Sequence, residues 1–291
     1  MKLPLLALAS FAAGCTTASS STGAVSLGEP GRLALAGDCI VVAEHASLVC
    51  APRAGGGSPR TLATTPDRTY VAVVADANDD GVLATSLADN VVELDRVGLD
   101  GTVTPLASAA ASDGAGELAI AGKQVVLSTG ALLVTVDGEA GGVTGLVATA
   151  TGTLGSVAVR GTVVYYLDNT TLDSIDLAAP TSAPEIEATS VVGAVAADGD
   201  AAVVGTNVAN SSYSFVTNIT TRDVTELHGT LSRVAVAGGH PYALVDGDLF
   251  DATGVDVYDP LAAGLDAFDL AADDQAVYWI TRGGDIGTIA R

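Results

Sequence analysis

Residues 33–42 read LALAGDCIVV, an apolar run, a Gly-Asp turn and a second apolar run. The same pattern returns as VAVVADANDDGVLA from Val71, LAIAGKQVVL from Leu118, VAVRGTVVYY from Val157, VAADGDAAVV from Val195, VAVAGGHPYA from Val234 and FDLAADDQAVYW from Phe268. These starts are separated by 38, 47, 39, 38, 39 and 34 residues. A hairpin that recurs at a period of roughly 40 residues marks stacked supersecondary units, and four short strands per unit make each one the blade of a β-propeller. The expected class is therefore all-β, with seven four-stranded blades; six or eight are the alternative counts. In the fourth copy residues 154–159 form the inner strand, Gly161 the turn, 163–167 the second strand, 172–177 the third and 185–188 the outer one.

Inner strands of such a ring are covered on both faces, so they should be apolar and small. The second position of six copies fits, holding Ala34, Ala72, Ala119, Ala158, Ala196 and Ala235, while Asp269 stands there in the seventh. A carboxylate at that place either lines the channel or marks a register error. The last copy ends at Arg291 with room for only three strands. Residues 24–27, from the other end of the chain, are expected to supply the fourth and to close the ring, which removes exposed sheet edges.

Two stretches carry a family likeness. APRAGGGSPRTLAT in the first copy, with Arg53, Gly55, Gly56 and Leu62, and AVYWITRGGDIGTIAR in the last, with Val277, Tyr278, Trp279, Ile286 and Arg291, resemble the repeat of YWTD and NHL type propellers. The resemblance implies the fold, with the VYW text on a second strand and the following run on a third. It implies no partner, and six blades are the commoner number among YWTD propellers.

The first fourteen residues, MKLPLLALASFAAG, hold one Lys and an apolar stretch too short to span a bilayer, and read as an export signal. Ala12, Ala13 and Gly14 before Cys15 resemble the lipobox of bacterial lipoproteins, although Ala12 replaces the usual Leu. That resemblance implies cleavage and lipidation at Cys15, membrane attachment through the lipid, and residence in the bacterial cell envelope as an outer-membrane lipoprotein. Residues 1–14 are thus a signal peptide, 15–23 a flexible Ser/Thr-rich tether, and 24–291 one propeller domain. Cys39 and Cys50 flank a hairpin turn in an exported chain, so a disulfide is expected between them.

With 12 Lys and Arg against 34 Asp and Glu, the formal net charge is −22. A polyanion needs a basic track, so nucleic acid is disfavoured as a partner. Four Phe, one Trp and seven Tyr leave few platforms for stacking sugars, which disfavours a lectin or glycosidase.

The sharpest chemical motif is DANDDG at residues 76–81, where Asp76, Asn78 and Asp80 alternate ahead of a Gly. That spacing suits a hard cation, and it resembles the calcium loops of EF-hands and integrin-type blades; Leu87 and Ala84 stand where those families place further ligands. Calcium is the one cofactor implied, and a solvated Asp-rich turn is the competing account. His45, His228 and His240 fall in different copies, and no G-x-S-x-G, P-loop or H-E-x-x-H occurs. Asp38, Asp198, Asp200, Asp273 and Asp274 share the inner turn of their copies, as either an acidic rim or plain turn chemistry. The sequons at Asn169, Asn210 and Asn218 read as loop text beside a bacterial lipobox. The expected function is a monomeric, lipid-anchored, non-enzymatic module for protein interaction, scaffolding or ligand binding. The alternative is a metal-dependent hydrolase or lactonase acting in the channel, for which the inner strands offer little beyond Asp269.

Overall fold

The computed structural model describes residues 20–21, 30–76, 80–179, 184–189 and 193–291, and among them every regular element is a strand. β1 (Ser20–Ser21) comes first. Blade 1 is β2 (Pro30–Ala36), β3 (Cys39–Glu44), β4 (Ser47–Pro52) and β5 (Arg60–Thr64); blade 2 is β6 (Thr69–Ala75), β7 (Gly81–Ala88), β8 (Val91–Gly98) and β9 (Val103–Ala110). Blade 3 is β10 (Ala115–Ala121), β11 (Gln124–Thr129), β12 (Leu132–Asp137) and β13 (Val143–Thr149); blade 4 is β14 (Leu154–Arg160), β15 (Val163–Asp168), β16 (Thr171–Asp176) and β17 (Glu185–Thr189). Blade 5 contains β18 (Gly193–Ala197), β19 (Ala202–Asn207), β20 (Tyr213–Asn218) and β21 (Val224–His228), and blade 6 contains β22 (Leu231–Ala237), β23 (His240–Val245) and β24 (Asp248–Asp251). After β25 (Asp256–Val257), blade 7 holds β26 (Ala267–Ala272), β27 (Ala276–Thr281) and β28 (Ile286–Ala290). The seven-bladed expectation is borne out, and the fourth copy folds as read.

Ring closure uses a different stretch from the one anticipated. β1 pairs antiparallel with β28, Ser20 opposite Thr288 and Ser21 opposite Gly287, and completes blade 7. Residues 24–27 lie outside the described residues, and part of the stretch read as tether joins the sheet instead. Gly287 is fixed from within blade 7, because a Cβ there would stand 2.2 Å from the indole of Trp279, which lies across it on β27. Blades 5 and 6 also depart from the four-strand plan. The segment after β24 crosses to its neighbour, where β25 adds parallel to β21 with Asp256 opposite Glu226 and Val257 opposite Leu227. Blade 6 keeps three strands and a single bridge, Leu249 to Ala262, at its outer position.

No blade has a core of its own. The buried apolar residues fall into seven clusters among the described residues, and each joins two adjacent blades. Strand pleating explains this, because successive side chains leave opposite faces. On β3, Cys39, Val41 and Ala43 enter the seam with blade 2, while Ile40 and Val42 enter the seam with blade 7.

These seams also fix the register. Leu33, Val73, Leu118, Val157, Val195, Val234 and Leu270 all face the preceding blade. The second and seventh copies therefore begin two residues later than Val71 and Phe268, the starts read from sequence. Val74 and Ala271, and not Ala72 and Asp269, are the counterparts of Ala34. The apolar run starts early in these two copies, because Val71 and Phe268 stand where the others have Gly31, Gly116, Gly155, Gly193 or Ser232; the bulge before the seam residue recurs in six blades and does not set these two apart.

Cys39 and Cys50 are joined by a disulfide within the blade 1–2 seam, with Cα atoms 5.3 Å apart. They are diagonal neighbours: Cys39 stands opposite Pro52, and Cys50 opposite Val41. The closed loop is short, so replacing both by Ala is expected to lower unfolding free energy by about 2 to 3 kcal/mol. Urea titrations followed by Trp279 fluorescence check this, and a midpoint unchanged from wild type would refute it. A second prediction concerns Tyr166, buried in the blade 3–4 seam, whose phenol is pushed up to about 12 by desolvation and then by the carboxylates of Asp173 and Asp168. Its contribution is complete below pH about 10, the unfolded value, and is lost as pH rises through the folded value. Tyr166→Phe is therefore expected to flatten the loss of stability between pH 10 and 12, measured by denaturant titration at successive pH values; an unchanged slope would contradict the assignment.

Candidate functional site

Seven inner strands converge on the axis, and the residue before each seam-facing position lines the channel. In ring order these are Arg32, Ala72, Glu117, Ser156, Ala194, Arg233 and Asp269. They surround a cavity of 150 Å³. Asp269, one of the two roles left open by the sequence, is thus a channel-lining group. Four polar partners were missed because each stands directly before a copy as it was delimited: Arg32 before Leu33, Glu117 before Leu118, Ser156 before Val157 and Arg233 before Val234. Starting the repeat one residue earlier would have revealed them.

The charged members neutralise one another. Arg32 Nη2 donates to Glu117 Oε1 at 2.5 Å, reaching from blade 1 to blade 3 past the small side chain of Ala72. Its Nη1 lies 3.8 Å from Asp269 Oδ1, and Arg233 Nε approaches the same oxygen at 3.4 Å. The other Asp269 oxygen accepts the Leu33 backbone N–H at 2.9 Å, which ties blade 7 to blade 1. Ser156 Oγ donates to the Val195 carbonyl and accepts from the Val195 N–H, so it is used in joining blades 4 and 5. Burial pushes the Asp269 carboxyl above the usual carboxylate range against the pull of Arg32 and Arg233. Desolvation and then the charge of Arg32 lower Arg233, whereas Glu117 and Asp269 together outweigh the desolvation of Arg32 and raise it.

The remaining sequence-derived candidates are dispersed. Cys15 and Asn78 lie outside the described residues. Asp76 is buried and its Oδ2 is 2.8 Å from Arg96 Nε, an ion pair without aligned N–H geometry. A cation at this loop would compete with that guanidinium. Asp80 is exposed, and its backbone carbonyl accepts the Leu99 N–H. Among the described residues no group of three His, Cys, Asp or Glu is placed to hold a metal ion. Rim carboxylates serve turns and seams. Asp198 accepts the N–H groups of Asp200 and Ala201 within its turn and that of Gly239 from blade 6. Asp273 caps Gln275 and Ala276 and takes Arg53 of blade 1 at 3.0 Å. Asn169 and Asn210 occupy left-handed turn positions, and Asn218 caps Thr220 and Thr221.

His228 has a different setting. It lies between Tyr213 and Tyr258, with ring centroids 4.5 and 4.6 Å away, on the outer part of blade 5. Val208, Tyr213, Val224, Val255 and Tyr258 are five of the nine exposed large apolar residues described, and all five belong to this sector. Beside them Val216, Val224, Pro241, Ala252 and Val255 line an open cavity of 360 Å³.

The ring and its filled axis define a seven-bladed β-propeller. Solved structures similar to it include three that are matched over most of their length. A chain of the mitotic checkpoint complex has a TM-score of 0.72 at 12% identity, covering 100% of this chain and 99% of that one. BamB from Moraxella catarrhalis has a TM-score of 0.60 at 11% identity, covering 90% of this chain and 85% of its own. The computationally designed Ika8 protein has a TM-score of 0.57 at 13% identity, covering 93% and 98%. At these identities the likeness speaks for the fold alone. No protein-family model matches the chain, and no curated protein matches it in sequence.

Asp269→Ala leaves two guanidinium groups facing Glu117 alone and frees the Leu33 N–H. Both arginines keep some contact with solvent, so the expected loss is about 3 kcal/mol, the low end for breaking a buried pair. Combining it with Arg233→Met should cost less than the sum of the single changes. Additive losses in a denaturation cycle would show that the pair does not couple.

Proposed function

We propose that this propeller is a non-enzymatic protein-binding module, carried at the bacterial cell envelope on a lipid attached to Cys15. The observation that carries the binding role is the gathering of exposed apolar and aromatic side chains on blade 5, because monomers seldom leave such a patch open without a use. A rigid ring with propeller neighbours fits a scaffold for protein interaction. The envelope role is supported by the export signal and lipobox text of residues 1–15 and by a disulfide, which persists in oxidising compartments.

A hydrolase acting in the channel has less support. Its best group, Asp269, is held by Arg32, Arg233 and the Leu33 N–H, and Ser156 is spent on the Val195 backbone. Neither stands ready as a base or nucleophile.

Expression of the full chain in a bacterial host, followed by fractionation and intact mass measurement, tests the anchor. Wild type is expected in the membrane fraction with lipid mass on Cys15, and Cys15→Ser in the soluble fraction without it. Identical fractionation and no added mass would defeat the anchor. Crosslinking in intact cells tests binding, with a defined partner retained through purification as the expected result; recovery of the protein alone would defeat that part.

A further inference from the structure

The crossing segment after β24 builds a surface whose chemistry specifies its partner. β25 is the outermost strand of a five-stranded sheet, and pleating sends Tyr213 of β20 and Val224, Glu226 and His228 of β21 to one face. Tyr258 follows β25 directly and covers the other side of His228. Tyr213 and His228 are directly opposite in the β20–β21 ladder and meet edge to face, so the three rings form a fixed stack with its outer surfaces open. Tyr258 is 63% exposed, Val224 48% and Tyr213 39%, so this is an uncovered face and not a seam.

Charge then selects among occupants. Glu226 Oε1 lies 3.9 Å from His228 Nε2, Asp256 stands exposed opposite Glu226 in the β21–β25 ladder, and Asp259, next to Tyr258 in sequence, is exposed as well. The nearby cation Arg222 is turned toward Glu187 of blade 4 at 3.6 Å. Open tyrosine faces beside uncompensated carboxylates attract ammonium and guanidinium groups. A second copy of this acidic chain would set these carboxylates against their own kind. An extended segment suits the place, because the outer edge of blade 5 already takes one from within the molecule: Glu226 donates its N–H to Val255 O at 2.8 Å.

We propose that the Tyr213–His228–Tyr258 face of blade 5 docks an extended segment of a partner protein in which Lys or Arg alternates with apolar residues, the basic groups meeting the rings and carboxylates and the apolar ones, which leave the other side of the segment, meeting Val255. This deepens the binding role proposed above and rests on it.

The test uses the purified full chain and two fluorescein-labelled peptides, one of alternating Lys and Val and one of alternating Glu and Val, followed by anisotropy. Variants are Tyr213→Ser with Tyr258→Ser, and Glu226→Gln with Asp256→Asn; because these side chains are wholly or partly exposed, thermal unfolding is expected to match wild type. As a control, Asp67→Asn with Asp285→Asn removes the same charge at exposed sites on other blades. The Lys peptide is expected to bind wild type and the control equally and each blade 5 variant at least about tenfold more weakly, as for loss of an aromatic anchor. The Glu peptide is expected not to bind. Equal binding by all proteins would reduce the effect to general attraction by a polyanion and overturn the proposal, as would no binding to wild type. Crosslinking in cells separates the two readings. A partner retained equally by the blade 5 variants would sink this surface and leave the binding role intact, and a partner lost only from those variants supports the surface.

Discussion

The two-sided burial of every sheet governs this protein. Seven apolar seams are each assembled from two blades, so a blade removed from its neighbours would expose both faces at once. Ile40 and Val42 of blade 1 find their partners in Ile280 and Ile286 of blade 7, and those partners exist only when the chain has come full circle. Burial at about 25 cal/mol per Å² of apolar surface makes closure the step on which the other contacts depend. The short β1 strand closes blade 7 at the perimeter, and the Asp269 bond to Leu33 N–H ties blade 7 to blade 1 at the axis.

Convergence at the axis creates a second constraint. Seven strand ends crowd together there, and a uniform ring of either large or small residues would clash or leave a void. The chain mixes sizes instead. Ala72 leaves room for Arg32 to reach Glu117 across its blade, and Ala194 stands next to Arg233 in the ring. Two cations and two anions then cancel, so the channel is polar yet carries no net charge among these four groups. Burying them is tolerable because each has partners; removing one member would strand the rest. The polar axis is accordingly explained by the demands of the ring, and recognition is sought at the perimeter.

How much of this was legible follows from what periodicity can and cannot carry. The blade number and the fourth copy's four strands follow from alternation and turn residues, which act locally. The Cys39–Cys50 pair was legible for the same reason, since one hairpin contains both. An apolar side chain where the other copies carry Gly or Ser makes the run begin two residues early, and that is why Val71 and Phe268 read as starts and Asp269 falls in the Ala row. The axial ring was hidden by delimiting each repeat at its first apolar residue, which discarded Arg32, Glu117, Ser156 and Arg233. The exchange of β25 into blade 5 left no periodic trace at all, because two residues added in parallel make no repeat. The full aromatic stack was equally invisible: Tyr213 and His228 meet across the β20–β21 ladder, but Tyr258 joins them only through that exchange.

The distribution of tyrosine shows what the exchange achieves. Of the seven in the chain, Tyr70, Tyr165, Tyr166, Tyr242 and Tyr278 are buried in seams between blades, where their rings fill volume that Ala and Val leave open. Only Tyr213 and Tyr258 face outward, and both meet one imidazole. Had the segment after β24 completed blade 6 in the ordinary way, Tyr258 would have no reason to lie beside β21, and His228 would stand open on one side. By crossing over, the chain gives up the fourth strand of blade 6 and keeps a single bridge there, between Leu249 and Ala262. The backbone is resupplied elsewhere, since Thr225 Oγ1 donates to the carbonyls of Ala252 and Gly254, and Glu226 N–H to that of Val255. A departure from the repeat that surrenders regular pairing, leaves Val255 and Tyr258 in solvent and is nevertheless held by specific hydrogen bonds is poorly explained by stability alone. It is well explained by the surface it creates.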